Sequence, residues 1–179
     1  MPHCKFQRFR TLQEFPRISL TKKNRCSPSP WYSGYLTYEL EGHTIHTHYV
    51  LVMSERMHED DEATQKPLIY WSNGGPGASS LFGLLTEVGP LWLNEESFDD
   101  NKHSSLPKPI YNPYGWTRLG HVVMIDQPAP VGFSYCEEDE KCSNISWTDE
   151  LAAENVRYSG FFLCEVWCGQ KLFVFRFVF

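Results

Sequence analysis

The stretch Trp71-Ser72-Asn73-Gly74-Gly75-Pro76-Gly77-Ala78-Ser79-Ser80 joins a short apolar run to a segment with helical spacing. Gly74, Gly75 and Gly77 can adopt backbone angles that side chains forbid, while Pro76 stiffens the loop between them. Backbone N–H groups held in such a turn can stabilise a negative oxygen as a carbonyl is attacked, and the following helix adds a positive dipole end. By itself, the motif is consistent with an anion-binding pocket or with a plain strand-to-helix turn.

A nucleotide-binding loop is a poorer match to the same stretch. A Walker-type loop needs Lys and then Ser or Thr after its last glycine, and Ala78 stands there instead. The charge distribution also argues against a nucleic-acid partner. Residues 1–30 carry seven Lys or Arg against Glu14 alone, and the whole chain has a net charge of −6, so the remainder is strongly acidic. Phosphate binding needs a basic surface, and we therefore expect no nucleic-acid partner.

Several other motifs surround the glycine turn in a fixed order. They are Tyr32-Ser33-Gly34-Tyr35-Leu36, Glu87-Val88-Gly89-Pro90, Asn112-Pro113-Tyr114-Gly115-Trp116, Asp126-Gln127-Pro128 and Val131-Gly132-Phe133-Ser134-Tyr135. In this order they resemble the serine carboxypeptidase family, peptidase family S10 of the α/β-hydrolase superfamily. The resemblance runs from about Trp31 to Tyr135 and continues more faintly to about Phe162. It implies an α/β fold made of the N-terminal strands of a central mixed sheet with flanking helices.

The resemblance implies roles for four residues. Gly75 is expected to supply a backbone donor of the oxyanion hole, and Asn73 and Gly74 are expected to hold the free carboxylate of a peptide's last residue. Glu87 is expected to belong to a carboxyl pair that donates a hydrogen bond to this carboxylate when protonated. Such crowding favours the neutral acid, so the chemistry should favour acidic pH. Without the resemblance, Glu87 would be interpreted as a solvated helix residue.

The implied activity is the removal of C-terminal residues through an acyl-enzyme, with peptide or protein C-termini as partners. One alternative is an acyltransferase of the same family, which passes the acyl group to an alcohol. The presence of Asn73 argues against it, because relatives with that activity often lose the residue there. The other alternative is a non-catalytic truncated product. Neither a metal nor an organic cofactor is expected.

The 179 residues contain no Gly-x-Ser-x-Gly turn. The resemblance implies that the catalytic serine lies in a Gly-Glu-Ser-Tyr-Ala-Gly turn after the next strand. That serine, the catalytic Asp and His and the second glutamate of the carboxyl pair are expected beyond Phe179. Gly132-Phe133-Ser134-Tyr135-Cys136 fails at its last position, and the resemblance places it in the wall of the substrate cleft, so Ser134 is expected to be structural. The 179-residue chain alone is therefore expected to be inactive.

His46 and His48 fall on one face of a predicted strand, a geometry that two metal ligands can share. No third ligand accompanies them by spacing, so no metal site is predicted.

The six cysteines are too few for a disulfide scaffold and form no paired C-x-x-C zinc signature. The spacing of Cys136 and Cys142 allows a local pair across an acidic turn, and the sequence alone leaves the pairing open. The family usually has a cysteine where Ala78 stands, so its bridge from that position is expected to be missing. Asn144-Ile145-Ser146 is a glycosylation sequon. The resemblance implies the secretory pathway, with a vacuolar, lysosomal or extracellular destination, although residues 1–30 show no apolar signal-peptide core and leave a transit peptide open.

Three regions are predicted: a basic, poorly ordered leader at 1–30, the hydrolase-like part at 31–162, and an aberrant aromatic tail at 163–179. The 41% hydrophobic content argues against disorder. Strands are predicted at 31–40, 43–53, 67–71 and 121–126, and helices at 78–88 and 148–162, with an acidic loop at 54–66 and a long polar loop at 89–111.

The tail is expected to behave unusually. Glu165, Gln170, Lys171 and Arg176 interrupt its apolar residues, so no membrane span is predicted. Residues 171–179 are predicted to imitate a strand with an aggregation-prone edge. Because the strand at 67–71 is central in the usual α/β-hydrolase order, we expect it to become an unpaired edge here. We therefore predict poor solubility or self-association through an exposed strand edge, which monomeric light scattering at high concentration would contradict.

Overall fold

The computed structural model describes residues 13–14, 19–20, 25–26, 29–55, 66–75, 77–98, 107–139, 141–166 and 172–176, with the backbone alone at 13–14, 19–20, 25–26, 161–166 and 172–176. In chain order the elements are β1 (Gln13–Glu14), β2 (Ser19–Leu20), β3 (Arg25–Cys26), β4 (Trp31–Leu40), β5 (His43–Val52), β6 (Leu68–Ser72), α1 (Ser80–Gly83), β7 (Leu91–Trp92), β8 (Ile110–Tyr111), β9 (His121–Ile125), β10 (Tyr135–Cys136), α2 (Asp149–Val166) and β11 (Leu172–Arg176). A π-helical turn, Leu84–Val88, continues α1, and single 3₁₀ turns form at Glu95–Ser97 and Trp116–Arg118.

The main sheet has the order β1-β4-β5-β9-β6-β11, and β10 also pairs with β5. Pairing is antiparallel from β1 to β9 and parallel among β9, β6 and β11. Parallel neighbours require crossover connections, and α1 and α2 lie in the two crossovers. This mixed sheet with helical crossovers is an α/β-hydrolase-type arrangement, as the sequence predicted.

The predicted hairpin is confirmed, because β4 and β5 pair from Trp31↔Val52 to Leu40↔His43. Glu41 and Gly42, between them, both have positive φ, at 50° and 80°. Two consecutive positive φ values are the signature of a type I′ turn, whose twist matches that of the strands it joins. The turn therefore sets the register of the longest strand pair in the sheet.

The core lies on both faces of the sheet. Every residue of β6 and β9 is buried. Ile69 and Trp71 pack on one face with Leu84 of the helical segment, while Leu68 and Tyr70 pack on the other face. A strand covered on both sides reads as a continuous apolar run, which is why β6 was visible in the sequence.

The prediction that the strand at 67–71 becomes an unpaired edge is wrong. β11 pairs with β6 in parallel from Leu172↔Leu68 to Arg176↔Ser72. Residues 172–176 thus form the strand predicted within the tail, and β11 ends the sheet order in place of β6. Self-association through this edge remains a prediction, now attached to β11.

The prediction of a long polar loop at 89–111 is also wrong in part. It contains the two-stranded ribbon of β7 and β8, which pair at Leu91↔Tyr111 and Trp92↔Ile110. Residues 99–106 of this loop and 56–65 of the predicted acidic loop lie outside the described residues.

Both predicted helices are present. The segment predicted at 78–88 forms as α1 followed by the π-helical turn. α2 begins as predicted, with Thr148 Oγ1 accepting a hydrogen bond from Leu151 N at 3.2 Å, and it runs to Val166, four residues past the predicted end. Within the part of the chain that the structure describes, neither helix is long and apolar enough to cross a bilayer.

Candidate active site

The glycine turn follows the carboxyl end of β6, beside the carboxyl end of its parallel neighbour β9. This edge of an open α/β sheet is where ligands bind. Gly75 has φ 136°, and a Cβ there would lie 3.1 Å from Ala78 N, closer than side chains normally approach. A glycine is therefore required at this position for both conformational and steric reasons.

The backbone donors of the turn are largely unused. Ala78 N donates to Gly74 O at 3.3 Å, which closes the turn. Within the described residues, no hydrogen bond joins the N–H of Gly74, Gly75 or Gly77 to an acceptor, and Gly75 and Gly77 are exposed. The neighbouring Pro76 lies outside the described residues. The turn thus offers several N–H groups to a ligand with oxygen acceptors.

The side chain of Asn73 is oriented by Trp71. Trp71 Nε1 donates to Asn73 Oδ1 at 2.7 Å. An indole N–H can only donate, so the amide must turn its oxygen toward Trp71 and its two N–H donors away from it. Asn73 N donates to Ser80 Oγ at 3.2 Å, which fixes the backbone at the start of the turn. Asn73 therefore combines a fixed backbone with a side-chain donor of defined direction.

Glu87 lies on the helical segment that Asn73 contacts. A Cβ at Gly83 would clash with Asn73 Oδ1, so Asn73 contacts the helix at that position. Glu87 comes four residues later, in the π-helical turn that continues α1, and its side chain is exposed. The structure thus brings the predicted residues together: Asn73, Gly74 and Gly75 share one turn, and Glu87 projects from the helix packed against it.

Asn112 holds the segment that carries Glu87, a role that the sequence did not reveal. This fully buried side chain donates from Nδ2 to Glu87 O at 3.1 Å and to Gly89 O at 2.8 Å. Trp92 Nε1 also donates to Glu87 O at 3.1 Å. In the sequence Asn112 is only part of a motif, because a sequence does not say which carbonyls an amide contacts. Together these donors fix the end of the π-helical turn.

Asp126 links the glycine turn to the rest of the sheet. This carboxylate is 2% exposed and lies just after β9. Its Oδ1 accepts from Ser79 Oγ at 2.6 Å and from Ser80 N at 2.9 Å. Its Oδ2 lies 3.1 Å from His48 Nδ1. Asp126 therefore joins the exit of the turn to strand β5.

Asp126 is ionised at ordinary pH. Burial acts to raise the pKa of this carboxyl, but the hydrogen bonds from His48, Ser79 and two backbone amides outweigh burial, and the pKa falls below its ordinary value. An ionised carboxylate can only accept hydrogen bonds, so His48 Nδ1 carries the proton in this pair.

Ser134 has the structural role that was predicted. It is buried, and its hydroxyl donates to Asp126 O at 2.6 Å and accepts from His48 N at 2.8 Å. Both of its hydrogen-bonding functions are thus satisfied inside the protein.

His46 and His48 have separate partners. His46 Nδ1 is 2.9 Å from Thr37 Oγ1, and its ring stacks on Tyr135 with the centroids 4.5 Å apart. The described residues hold no group of three or more His, Cys, Asp or Glu side chains placed to bind a metal ion.

The local bridge that the spacing allowed is present, because Cys136 and Cys142 form a disulfide. It closes the acidic turn beside β10. Asn144, the acceptor of the sequon, follows this loop and is exposed.

The mixed sheet with helical crossovers and the glycine turn at the carboxyl end of β6 are consistent with a truncated α/β-hydrolase-type fold. A sequence model of the serine carboxypeptidase family matches residues 21–162. The chain belongs to the serine carboxypeptidase family.

Three relatives illustrate the match. Serine carboxypeptidase 1 of Hordeum vulgare is 43% identical over 108 residues, which cover 60% of this chain and 20% of that protein. Carboxypeptidase Y of Komagataella phaffii is 35% identical over 152 residues, which cover 85% of this chain and 24% of the relative. Lysosomal protective protein of Mus musculus is 37% identical over 124 residues, which cover 69% of this chain and 22% of the relative. The chain thus spans about a fifth to a quarter of the length of these relatives.

Proposed function

We propose that the segment 73–87 is the part of a serine-type carboxypeptidase that binds the C-terminal carboxylate of a peptide and stabilises the oxyanion of its scissile carbonyl. The observation that carries this proposal is the set of N–H groups at Gly74, Gly75 and Gly77, which have no acceptor among the described residues and stand beside the oriented amide of Asn73. Donors that are fixed before the reaction need no reorganisation when negative charge develops.

Asn73 and Gly74 bind the substrate's terminal carboxylate in this proposal. The amide N–H donors of Asn73 point away from Trp71, and the N–H of Gly74 follows directly in the chain. Hydrogen bonds to a carboxylate are roughly twice as strong as those between neutral groups, so two or more such donors favour a free C-terminus over an amide.

Gly75 supplies a backbone donor to the oxyanion in the same proposal. Its φ of 136° is a backbone conformation that residues with a side chain rarely adopt. This conformation sets the direction of the adjoining N–H groups. Removing a single oxyanion-hole donor from an enzyme typically costs about 10² to 10³ in rate, so the direction of such a group matters.

Glu87 completes the carboxylate site. A negative charge at this position repels a peptide carboxylate, whereas the protonated acid donates a hydrogen bond to it. Because Asn112 and Trp92 fix the backbone at Glu87, the side chain starts from a defined point on the helical segment that Asn73 contacts.

The polypeptide of 179 residues is proposed to bind and not to hydrolyse, because it contains no Gly-x-Ser-x-Gly turn. Hydrolysis through an acyl-enzyme is proposed for the complete carboxypeptidase of this family. The acyltransferase remains the alternative for the complete protein. Asn73 favours the hydrolase, because in this proposal Asn73 binds the free carboxylate of a peptide substrate.

We also propose that the protein enters the secretory pathway. The Cys136–Cys142 disulfide supports this, because such bonds persist in oxidising compartments. The name of one relative, lysosomal protective protein, points the same way.

A calorimetric titration tests the carboxylate site. The 179-residue chain is titrated at mildly acidic pH with an N-blocked dipeptide that has a free C-terminus, and separately with the C-terminal amide of the same dipeptide. We expect the acid to bind about tenfold more tightly than the amide. Equal affinity for the two, or no affinity for either, contradicts the proposal.

Asn73→Asp is the informative variant for this titration. The substitution keeps an oxygen that can accept from Trp71 Nε1 and replaces the donor group by a negative oxygen. The preference for the acid should then disappear without loss of the fold. Retention of the full preference argues that the carboxylate binds elsewhere.

A further inference from the structure

Asp126 is a buried carboxylate that the proposed chemistry does not use. Burying a charge is costly unless it is fully hydrogen bonded, so its donors indicate what the charge stabilises. Four donors reach this carboxylate within the described residues: Ser79 Oγ, Ser80 N, His48 Nδ1 and, at 3.4 Å, Phe133 N. They come from three separate chain segments that meet at the end of β9.

Two of the donors stand where the glycine turn enters α1. Ser79 Oγ, at 2.6 Å from Asp126, also accepts from Leu81 N and so caps the helix. Ser80 Oγ accepts from Asn73 N at 3.2 Å and donates to Ile125 O at 2.6 Å. The chain before the turn and the chain after it are thus both tied to the end of β9.

The remaining donors hold the carboxylate from the opposite side. The imidazole of His48 is itself packed, with ring centroids 5.5 Å from Tyr35 and 5.2 Å from Phe133. Gly132 has φ 60°, and a Cβ there would overlap the carboxylate of Asp126. The carboxylate therefore occupies a space in which it has little freedom to move.

We propose that Asp126 is a positioning residue for the glycine turn, and that His48 holds Asp126 in the orientation that Ser79 and Ser80 require. The inference rests on the proposed function, in that the turn is taken to be the site for the peptide carboxylate and the oxyanion. A charge-assisted hydrogen bond is stronger than a neutral one, which makes a carboxylate a suitable anchor for a turn whose own backbone has few internal bonds.

The most informative variants retain the charge of Asp126. Asp126→Asn would remove a negative charge near a proposed anion site, an effect that by itself favours anion binding and opposes the loss of the anchor. Ser79→Ala removes the hydroxyl that joins the turn to the carboxylate. His48→Phe removes the donor on the other side but keeps an aromatic ring between Tyr35 and Phe133.

The structure supplies a matched control in Thr117→Val. Thr117 Oγ1 donates to Glu55 Oε1 at 2.6 Å, the same length as the bond from Ser79 to Asp126. Thr117 is buried and lies before β9, whereas Asp126 lies after it. The control thus removes a similar hydroxyl–carboxylate bond at the opposite end of the same strand.

Two measurements are made on each variant of the 179-residue chain: the NMR amide resonances of Gly74, Gly75 and Gly77, and the affinity for the N-blocked dipeptide acid. Ser79→Ala and His48→Phe should move the glycine resonances and weaken binding by about tenfold, since each loses a bond to a charged group. His48→Gln, which retains an N–H donor, should restore part of the affinity. Thr117→Val should leave both readings as in the wild type.

The outcomes separate this inference from the proposed function. If the glycine resonances move in both variants but the wild-type chain binds no peptide acid, Asp126 positions the turn and the proposed function fails. If the wild type binds and neither variant changes the resonances or the affinity, the positioning role is overturned. It is equally overturned if Thr117→Val changes both readings as much as Ser79→Ala, because general destabilisation then explains the effect.

Discussion

His48 and Asp126 face each other across neighbouring antiparallel strands, with His48 Nδ1 3.1 Å from Asp126 Oδ2 and Asp126 N donating to His48 O at 3.0 Å. The two residues are thus joined by a side-chain hydrogen bond and a backbone hydrogen bond at the same point of the sheet. His48 belongs to β5 of the long hairpin, and Asp126 follows β9, whose carboxyl end lies beside the glycine turn. The pair therefore connects the most regular part of the sheet to the glycine turn.

The space around this pair predicts the effect of Gly132→Ala. The new methyl group would overlap the Asp126 carboxylate, and φ 60° disfavours any side chain. We expect a loss of about 2–3 kcal/mol in the free energy of unfolding, measured by urea denaturation. Gly42→Ala is the control, because φ is 80° there but no atom lies within 4 Å of the added Cβ. Equal losses in the two variants would show that only backbone strain matters at Gly132.

The lowered pKa of Asp126 predicts how stability depends on acidity. The ordinary pKa of this group is 3.8, and hydrogen bonds lower it in the folded protein despite burial. The resulting stabilisation is fully present above pH 3.8 and is lost as the pH falls toward the folded-state pKa. Unfolding experiments below pH 3.8 should show a steeper decline for the wild type than for Asp126→Asn. Identical slopes would mean that other carboxylates control acid unfolding.

Asn112→Ala should destabilise the protein far more than Asn155→Ala. Both side chains are fully buried. Both substitutions are Asn→Ala, so they remove the same volume. Asn112 makes three short hydrogen bonds to the backbone, whereas Asn155 Oδ1 has no partner among the described residues and its Nδ2 makes only a 3.4 Å contact with Gln127. We expect Asn112→Ala to cost about 2 kcal/mol more, because it leaves the buried carbonyl of Gly89 without this donor, whereas Glu87 O keeps its bond from Trp92 Nε1. A reversed order in thermal or chemical denaturation contradicts the assigned role of Asn112.

The Cys136–Cys142 disulfide should contribute modestly to stability. The sequence separation is 6. Closing so short a loop lowers the entropy of the unfolded chain, which raises the free energy of unfolding by about 2 kcal/mol. The difference in unfolding free energy between the wild type and the Cys136→Ala/Cys142→Ala double variant measures it. A reducing agent should lower the stability of the wild type to that of the double variant and leave the variant unchanged.

Local sequence patterns predicted the elements that local chemistry determines. The turn at Glu41 and Gly42, the apolar run of β6 and the cap at Thr148 all act within a few residues, and each was placed to within one or two residues. The spacing also allowed the Cys136–Cys142 bridge, because the two residues are close in sequence.

Relationships between distant residues were not visible in the sequence. The pairing of β11 with β6 depends on the return of the chain through α2. The bonds from Asn112 to Glu87 O, and from Asp126 to His48 and Ser79, join residues that are 25 to 78 positions apart. For the same reason the sequence showed Asp126 as part of a motif and not as the anchor of the turn.

We propose that the glycine turn and Asn73 receive the carboxylate of a peptide, and a residue-resolved NMR titration can observe this binding at each residue. The ¹⁵N-labelled chain is titrated with the N-blocked dipeptide acid and, in parallel, with the corresponding amide. We expect saturable shifts at the Gly74 backbone N–H and the Asn73 side-chain NH₂ with the acid alone. Shifts of equal size with both ligands, or shifts with the acid that leave Asn73 and Gly74 unchanged, would contradict it.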